Sequence, residues 1–263
     1  MKLLSNLFRT HNSIEKKILF VNQGKGTLYE DILFQTQKKY NVVSFTSIQY
    51  RRNNFVERLF TWSFYTLHLF IYLSFNRKNF STVVLFSNPP FAPLLGPILQ
   101  TKFVLVLYDL YPSCLSQIPS NILIDSIIKI WNYYNKFLFS KSHKIITLSD
   151  SMANMLMNSF NDNLKWSEKV VVMYPWSSIK NLKNIPKSEN YFRQKFNLDD
   201  RFLIIYSGNM GSTHPLEYLL DTSLILGNSA QFLFIGQGPK LNPLKNLAAN
   251  LNLSQQQIRF LPP

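Results

Sequence analysis

The residues best suited to chemistry lie in Arg201-Phe-Leu-Ile-Ile-Tyr-Ser-Gly208-Asn209-Met210-Gly211-Ser-Thr-His214-Pro. The β-branched and aromatic run Phe202–Tyr206 reads as a strand buried on both faces. It breaks at a glycine-bracketed turn, after which Leu216, Leu219, Leu220 and Leu224 recur at helical spacing. Pro215 falls in the first turn of that helix, where a missing N–H matters least. Ser212 or Thr213 is placed to cap it, and Glu217 to complement its positive end. Such a turn aims backbone N–H groups and a helix dipole at a glycine-lined opening, which is how phosphate is bound. Asn209 adds a neutral donor and acceptor. A βα turn that needs glycine only for tight packing has the same spacing, so both readings stay open. The second candidate is Asp109. Phe103-Val-Leu-Val-Leu reads as a buried strand ending at Tyr108-Asp109-Leu-Tyr-Pro112. An acid at the carboxyl end of a parallel strand points into the ligand crevice of an open α/β sheet. An aspartate capping the next segment explains the same position equally well.

The elements that must position these residues follow a βα pattern. Lys17-Ile-Leu-Phe-Val-Asn is the first strand, Gln23-Gly24-Lys25-Gly26-Thr27 a turn, Leu28–Lys39 a helix and Asn41-Val-Val-Ser-Phe a second strand. Gly24-x-Gly26 lacks the third glycine of the dinucleotide fingerprint, and no acid ends the second strand, which argues against NAD. Ser81–Phe86 is a strand running into Ser87-Asn88-Pro89-Pro90, whose prolines stop it. Ile122–Phe139 reads as a helix and His143–Ser149 as a strand. Lys169–Tyr174 is a further strand, broken by Pro175. Ser177–Asp200 is polar and rich in lysine and asparagine, which suits a connection between domains. The boundary is placed at Ser178, dividing the chain into residues 1–178 and 179–263. In the second part Gln231–Ile235 forms a strand ending at Gly236 and Gly238, then a helix Leu241–Leu251 and a strand from Ile258.

Composition bounds the function. The chain has 263 residues, 46% of them hydrophobic, enough to bury a core in one or two domains. A lone cysteine, Cys114, rules out an internal disulfide framework and a cysteine-built metal site, and points to a reduced, cytoplasmic setting. Residues 1–9 have neither a continuous apolar core nor a small-residue cleavage signature, unlike a signal peptide. Lys and Arg number 28 against 14 Asp and Glu. Such a balance suits nucleic acid, anionic lipid or phosphorylated substrates. Nucleic acid is disfavoured, because the cations are scattered and no helix-turn-helix, finger or RNA-binding signature is present. Leu59–Phe75 is apolar or aromatic on nearly every side, with Arg51, Arg52 and Arg58 before it and Arg77 and Lys78 after. Three readings stand: a buried core helix, a helix in the membrane interface with basic flanks on anionic lipid, and a short spanning helix. His68, inside this run, reads as a core or interface histidine rather than a catalyst.

Seven short pieces, in order, together resemble one family. They are Gln23–Thr27, Ser87-Asn-Pro-Pro90, Tyr108-Asp109-Leu-Tyr-Pro112, Ile145-Ile-Thr-Leu-Ser149, Tyr174-Pro-Trp176, Tyr206-Ser-Gly-Asn-Met-Gly211 and Phe234-Ile-Gly-Gln-Gly238. The chain resembles the family-4-type glycosyltransferases of GT-B architecture, in particular the bacterial branch that builds surface polysaccharides, including the fucosamine transferases. The resemblance implies an α/β fold of two Rossmann-like domains, the second incomplete in this sequence. It implies transfer of a sugar, with retention, from a nucleotide-sugar donor to a lipid-pyrophosphate-linked saccharide acceptor, at the cytoplasmic face of the plasma membrane. The loop Gly208, Asn209, Met210 and Gly211, with His214, would approach the donor diphosphate, and Gly236 and Gly238 the nucleobase side. Gly24, Lys25, Gly26, Thr27 and Tyr108 would line the acceptor side. Asp109 would orient the acceptor hydroxyl or take its proton. No cofactor or metal is implied, since backbone dipoles and cations neutralise the leaving diphosphate.

The sequence also departs from that pattern. Many relatives place an Arg and a Lys after the second-domain strand, where Asn209 and His214 stand here, and a histidine where Tyr108 stands. Relatives continue into further βα units, with a helix whose paired glutamates bind the donor. The sequence stops at Pro263, so weak or absent catalysis by this chain alone is expected. The alternative is a non-catalytic subunit whose open second domain is completed by another chain.

Overall fold

The computed structural model describes residues 17–24, 27–49, 55–112, 121–159, 168–175, 183–198, 200–211 and 214–262. The chain divides into two units, Met1–Lys180 and Asn181–Pro263, each with its own parallel sheet.

In unit 1 the apolar runs read from the sequence become strands, and the chain between them returns each time to start the next in parallel. The order is β1 (Lys17–Val21), α1 (Thr27–Gln37), β2 (Val42–Phe45), α2 (Phe55–Asn76) and β3 (Phe80–Phe86). Then come α3 (Leu95–Ile98), β4 (Phe103–Val106), α4 (Ile122–Lys141), β5 (Lys144–Thr147), α5 (Asp150–Asn158) and β6 (Val170–Val172). The six strands lie in the order β2-β1-β3-β4-β5-β6, with Leu19 opposite Val83 and Leu85 opposite Leu105. Strand order reverses between β1 and β3, the topological switch point where open α/β sheets bind ligands. β4 is buried along its whole length, because a core lies against each face. Tyr65, Leu69 and Leu73 of α2 pack with Leu138 and Phe139 of α4 on one face, and Tyr29 and Ile32 of α1 on the other. Gly96 in α3 lets that helix lie against the sheet: a Cβ there would sit 2.7 Å from the Phe103 ring. Asn121 caps α4, its Oδ1 accepting the Ile124 N–H at 2.8 Å, and Ser149 caps α5 through the Met152 N–H at 3.2 Å.

Helix α2 differs from the buried core helix that its composition suggests. It buries one narrow stripe, Thr61, Tyr65, Leu69 and Leu73, and leaves much of its apolar surface exposed. Among the described residues no helix is long and apolar enough to cross a membrane. His68 is exposed, with Nδ1 at 2.8 Å from the Ser47 hydroxyl.

Unit 2 contains a short helix α6 (Tyr191–Lys195), then β7 (Phe202–Ser207), α7 (Glu217–Leu226), β8 (Ala230–Ile235), α8 (Leu241–Asn250) and β9 (Ile258–Leu261). The strands are parallel in the order β7-β8-β9. Two expectations are corrected here. β7 is not buried on both faces: it is an edge strand whose Phe202 is 72% and Ile205 49% exposed. A continuous apolar run reads the same whether a second layer covers it or not. The polar segment before β7 is not all connection, because Asn190 caps α6 through the Arg193 N–H. Helix α7 begins at Glu217 with no side-chain cap; Ser212 and Thr213 lie outside the described residues, as do Met1–Glu15, Arg51, Arg52, Cys114 and Trp176.

Candidate functional site

Two constellations form at carboxyl ends of strands, one in each unit. In unit 1 the ends of β1, β3 and β4 converge. The Gln23 N–H donates to the Asn88 carbonyl at 3.1 Å, joining the turn after β1 to the loop after β3. Gly24 sits in this junction, where a Cβ would meet the Asn88 amide nitrogen at 3.1 Å. Ser87 continues the link, its hydroxyl accepting the Tyr108 N–H at 2.9 Å. Gly24, Tyr108 and Asp109 are thus brought to one end of the sheet. Lys25 and Gly26 lie outside the described residues, and Thr27 opens α1.

Tyr108 and Asp109 lie in the bend that follows β4 and turn to opposite faces of the sheet. Tyr108 turns to the α1 side, its ring 5.5 Å from that of Phe86. Burial, with a smaller push from Tyr29, holds its phenol well above the ordinary range, so it stays neutral and offers no base. Asp109 turns to the α4 side. It lines a cavity of about 40 Å³ together with Tyr111, Trp131, Asn132, Asn135 and Ser159. Tyr111 stacks on Trp131 at 5.5 Å and 14°, and the Asn135 amide donates to the Tyr111 carbonyl at 2.5 Å. Asp109 is exposed, and its carboxylate makes no hydrogen bond or ion pair among the described residues, so it remains available to a hydroxyl at the cavity mouth.

Two polar residues at the switch point escaped the sequence reading. Asn22 and Gln23 are 8% and 6% exposed, and their side-chain oxygens find no hydrogen-bond partner among the described residues. Their amide nitrogens are engaged, Asn22 with the Gly24 carbonyl and Gln23 with those of Thr61 and Ile48. Unpaired buried acceptors are costly and suit a ligand that brings donors. Only their place directly after β1 could have flagged them.

In unit 2 the glycine turns after β7 and β8 interlock. The Gly208 and Met210 N–H groups donate to the carbonyls of Ile235 and Gln237, both at 2.9 Å, and the Gly211 N–H to that of Asn209. Most N–H groups expected to await phosphate are therefore already engaged. Asn209 alone of the four makes no backbone N–H bond among the described residues. Gly236 and Gly238 serve this interlock. Both have positive φ, and a Cβ would lie 2.1 Å from the Gly208 carbonyl oxygen at the first and 2.5 Å from that of Met210 at the second. The Met210 side chain is fully buried in the unit 2 core.

What the loop presents outward is side chain. The Tyr206 hydroxyl donates to the Asn209 carbonyl at 2.7 Å and lies 2.8 Å from His214 Nδ1. Since a carbonyl only accepts, the Tyr206 proton goes there and His214 donates from Nδ1, which leaves Nε2 beside Gly211 for a ligand. A cation does stand beside this loop: Lys240, just after the second glycine turn. Its ammonium bonds the His214 carbonyl at 2.7 Å and the Glu217 carboxylate at 2.8 and 2.9 Å. Hydrogen bonding from Lys240 holds the Glu217 carboxyl below its ordinary value. Glu217 thus already supplies the anion that the α7 N-terminus favours. Lys240 was missed because it lies 29 residues after Gly211 and meets the loop only through the parallel pairing of β7 and β8.

No protein-family model matches the sequence, and no curated protein matches it. Solved structures match the fold. Anabaena Alr3699/HepE in complex with UDP and glucose is similar with a TM-score of 0.62 and 13% identity, over 94% of this chain and 69% of that one. WaaG, a glycosyltransferase involved in lipopolysaccharide biosynthesis, matches with a TM-score of 0.61 and 15% identity, over 93% and 70%. S. aureus MnaA bound to UDP matches with a TM-score of 0.53 and 13% identity, over 94% and 68%. At such identities the likeness is one of fold. That fold is the GT-B arrangement of two Rossmann-like units, with an α/β parallel sheet in each.

Proposed function

We propose that the chain is a glycosyltransferase subunit whose unit 2 receives a nucleotide-sugar donor and whose unit 1 receives a saccharide acceptor. One observation carries this reading. The interlocked turns of unit 2 present Asn209, His214 Nε2 and Lys240 around a single loop, and structures sharing this fold bind UDP or UDP-glucose. Lys240 and the two neutral side chains suit the diphosphate, and transfer is proposed to need no metal or cofactor. In unit 1 Asp109 would hold the acceptor hydroxyl or take its proton as that oxygen attacks the anomeric carbon and the bond to the diphosphate breaks. Stacked Tyr111 and Trp131 suit the apolar face of a sugar. Retention of configuration and a lipid-linked acceptor of the surface-polysaccharide type are the finer parts of the proposal.

Calorimetric titration with UDP-, GDP- and TDP-sugars tests it. Binding of one nucleotide class, weakened about tenfold or more in Lys240→Gln, is the expected result; no binding by any would overturn it. A second reading rests on the exposed Phe202 and Ile205 of edge strand β7. An open apolar edge invites a further chain, and unit 2 would then bind donor only with that partner present.

A further inference from the structure

The surface of unit 1 outside the α2–α4 core is unusual in what it lacks. From Leu59 to Phe75 the exposed positions of α2 carry no charge: seven are large and apolar, and the others are Ser63, His68 and Ser74. Phe60, Phe64, Leu67 and Ile71 follow one another at steps of four, three and four, a single stripe opposite the buried one. At 1.5 Å per residue, Phe60 to Phe75 extends for about 22 Å. Cations stand at both ends, Arg58 before and Lys78 after.

Helix α4 repeats the pattern on the same face of the sheet. Its first turns expose Ile122 at 89%, Leu123 at 71% and Ile130 at 70%, with Tyr133 beyond them. Exposed Lys129 and Lys136 are spaced through this surface, outnumbering the one exposed acid among them, Asp125, a turn before Lys129. The two helices share one core cluster, and a chain of rings joins them: Trp62 to Phe91 at 6.4 Å, and Phe91 to Trp131 at 5.4 Å. Two amphipathic helices therefore present one broad apolar face, studded with aromatics and lysines.

We propose that this face docks on an anionic lipid bilayer, with the aromatic stripe of α2 in the headgroup layer and the lysines of α4 on lipid phosphates. Charge decides the occupant. A second copy would bring the same cations against themselves, whereas an anionic surface complements them. An uncharged aromatic stripe with basic ends is the composition of helices that lie in the membrane interface, and neither helix is long and apolar enough to cross. Lysine stems cover apolar surface while their ammonium groups reach phosphate. Trp131 belongs both to this face and to the wall of the Asp109 cavity, so a lipid-attached acceptor would reach Asp109 without leaving the surface. That last consequence alone rests on the proposed sugar transfer; docking itself does not.

The test is flotation of the full chain with phosphatidylcholine vesicles, with and without about one-third phosphatidylglycerol. No nucleotide or acceptor is present, so failure here leaves the donor-binding reading untouched. The chain is expected to float with anionic vesicles and much less with neutral ones. The triple variant Phe60→Ser, Phe64→Ser, Ile71→Ser should lower the partition coefficient at least about tenfold while circular dichroism stays unchanged. Lys129→Glu with Lys136→Glu should lower binding to anionic vesicles only. If the triple variant misfolds, Ile122→Ser with Ile130→Ser makes the same test on α4. Absence of flotation at low salt, or flotation unchanged in the apolar variants, would overturn the proposal. So would light scattering that shows a dimer broken by these substitutions without vesicle binding.

Discussion

Replacing Gly236 by alanine separates a scaffolding glycine from one that leaves room for a ligand. Its φ of +137° is one that L side chains rarely adopt, at a strain of about 1–3 kcal/mol. The new Cβ would lie 2.1 Å from the Gly208 carbonyl oxygen, so the two turns must part by about an ångström. Parting weakens the Gly208–Ile235 and Met210–Gln237 bonds, each worth about 1 kcal/mol net. The total is about 3–5 kcal/mol. Unit 2 comprises 83 residues, and a domain of that size is stable by about 4–12 kcal/mol. Thermal unfolding followed by circular dichroism should show its transition lowered by more than about 12 °C. Gly227→Ala is the control: φ there is +49° with nothing within 4 Å of the added carbon, so only the backbone strain of about 1–3 kcal/mol should be lost, with no turn displaced. Nucleotide-sugar binding should fall with Gly236→Ala, because the Gly208–Gly211 loop is displaced. A variant that binds donor poorly yet melts like the parent would refute the interlock, and would mean that Gly236 makes room for the nucleotide itself.

Asp109→Asn should lower sugar transfer by about a hundredfold or more and leave donor affinity unchanged in calorimetry, since Asp109 belongs to unit 1. Lys240→Gln should weaken donor binding about tenfold or more, the loss of one charge-assisted contact; equal affinity would remove Lys240 from the site. The Glu217 carboxyl, held below its ordinary value of 4.5, gives the Lys240 pair a contribution that is complete above about pH 4.5 and lost as pH falls through the lower folded value. That pair is solvent-screened and worth only a few tenths of a kcal/mol, so the acid shift of the unit 2 melting point should be small and absent in Glu217→Gln. Gly96→Ala presses on Phe103 and Leu85 at 2.7 and 3.0 Å, and should destabilise unit 1 by about 1–3 kcal/mol while the unit 2 transition stays put.

Much of the architecture was legible because it is local. Apolar runs such as Phe103–Leu107 declare buried strands, and glycines or prolines close them at Gly208 and Pro89. Asp109 could be picked out because an acid directly after a buried strand has one place to go. By contrast, Asn22 and Gln23 carry no pattern of their own. They become a site because β3 brings Asn88 beside them. The same limit applied to Phe202–Tyr206, whose residues cannot say whether a layer covers them.

By itself, then, the sequence determined the βα alternation, the strand ends where chemistry gathers and the candidates Asp109 and Gly208–Gly211, since these follow from side-chain period and turn chemistry within a few residues. Only the tertiary structure decided that Gly236 and Gly238 lock against the Gly208–Gly211 loop, that Lys240 stands beside that loop and that α2 and α4 both leave apolar side chains exposed on one face of the sheet. Each of these is a contact between segments far apart in the chain, and the parallel sheet that closes such distances leaves no local trace.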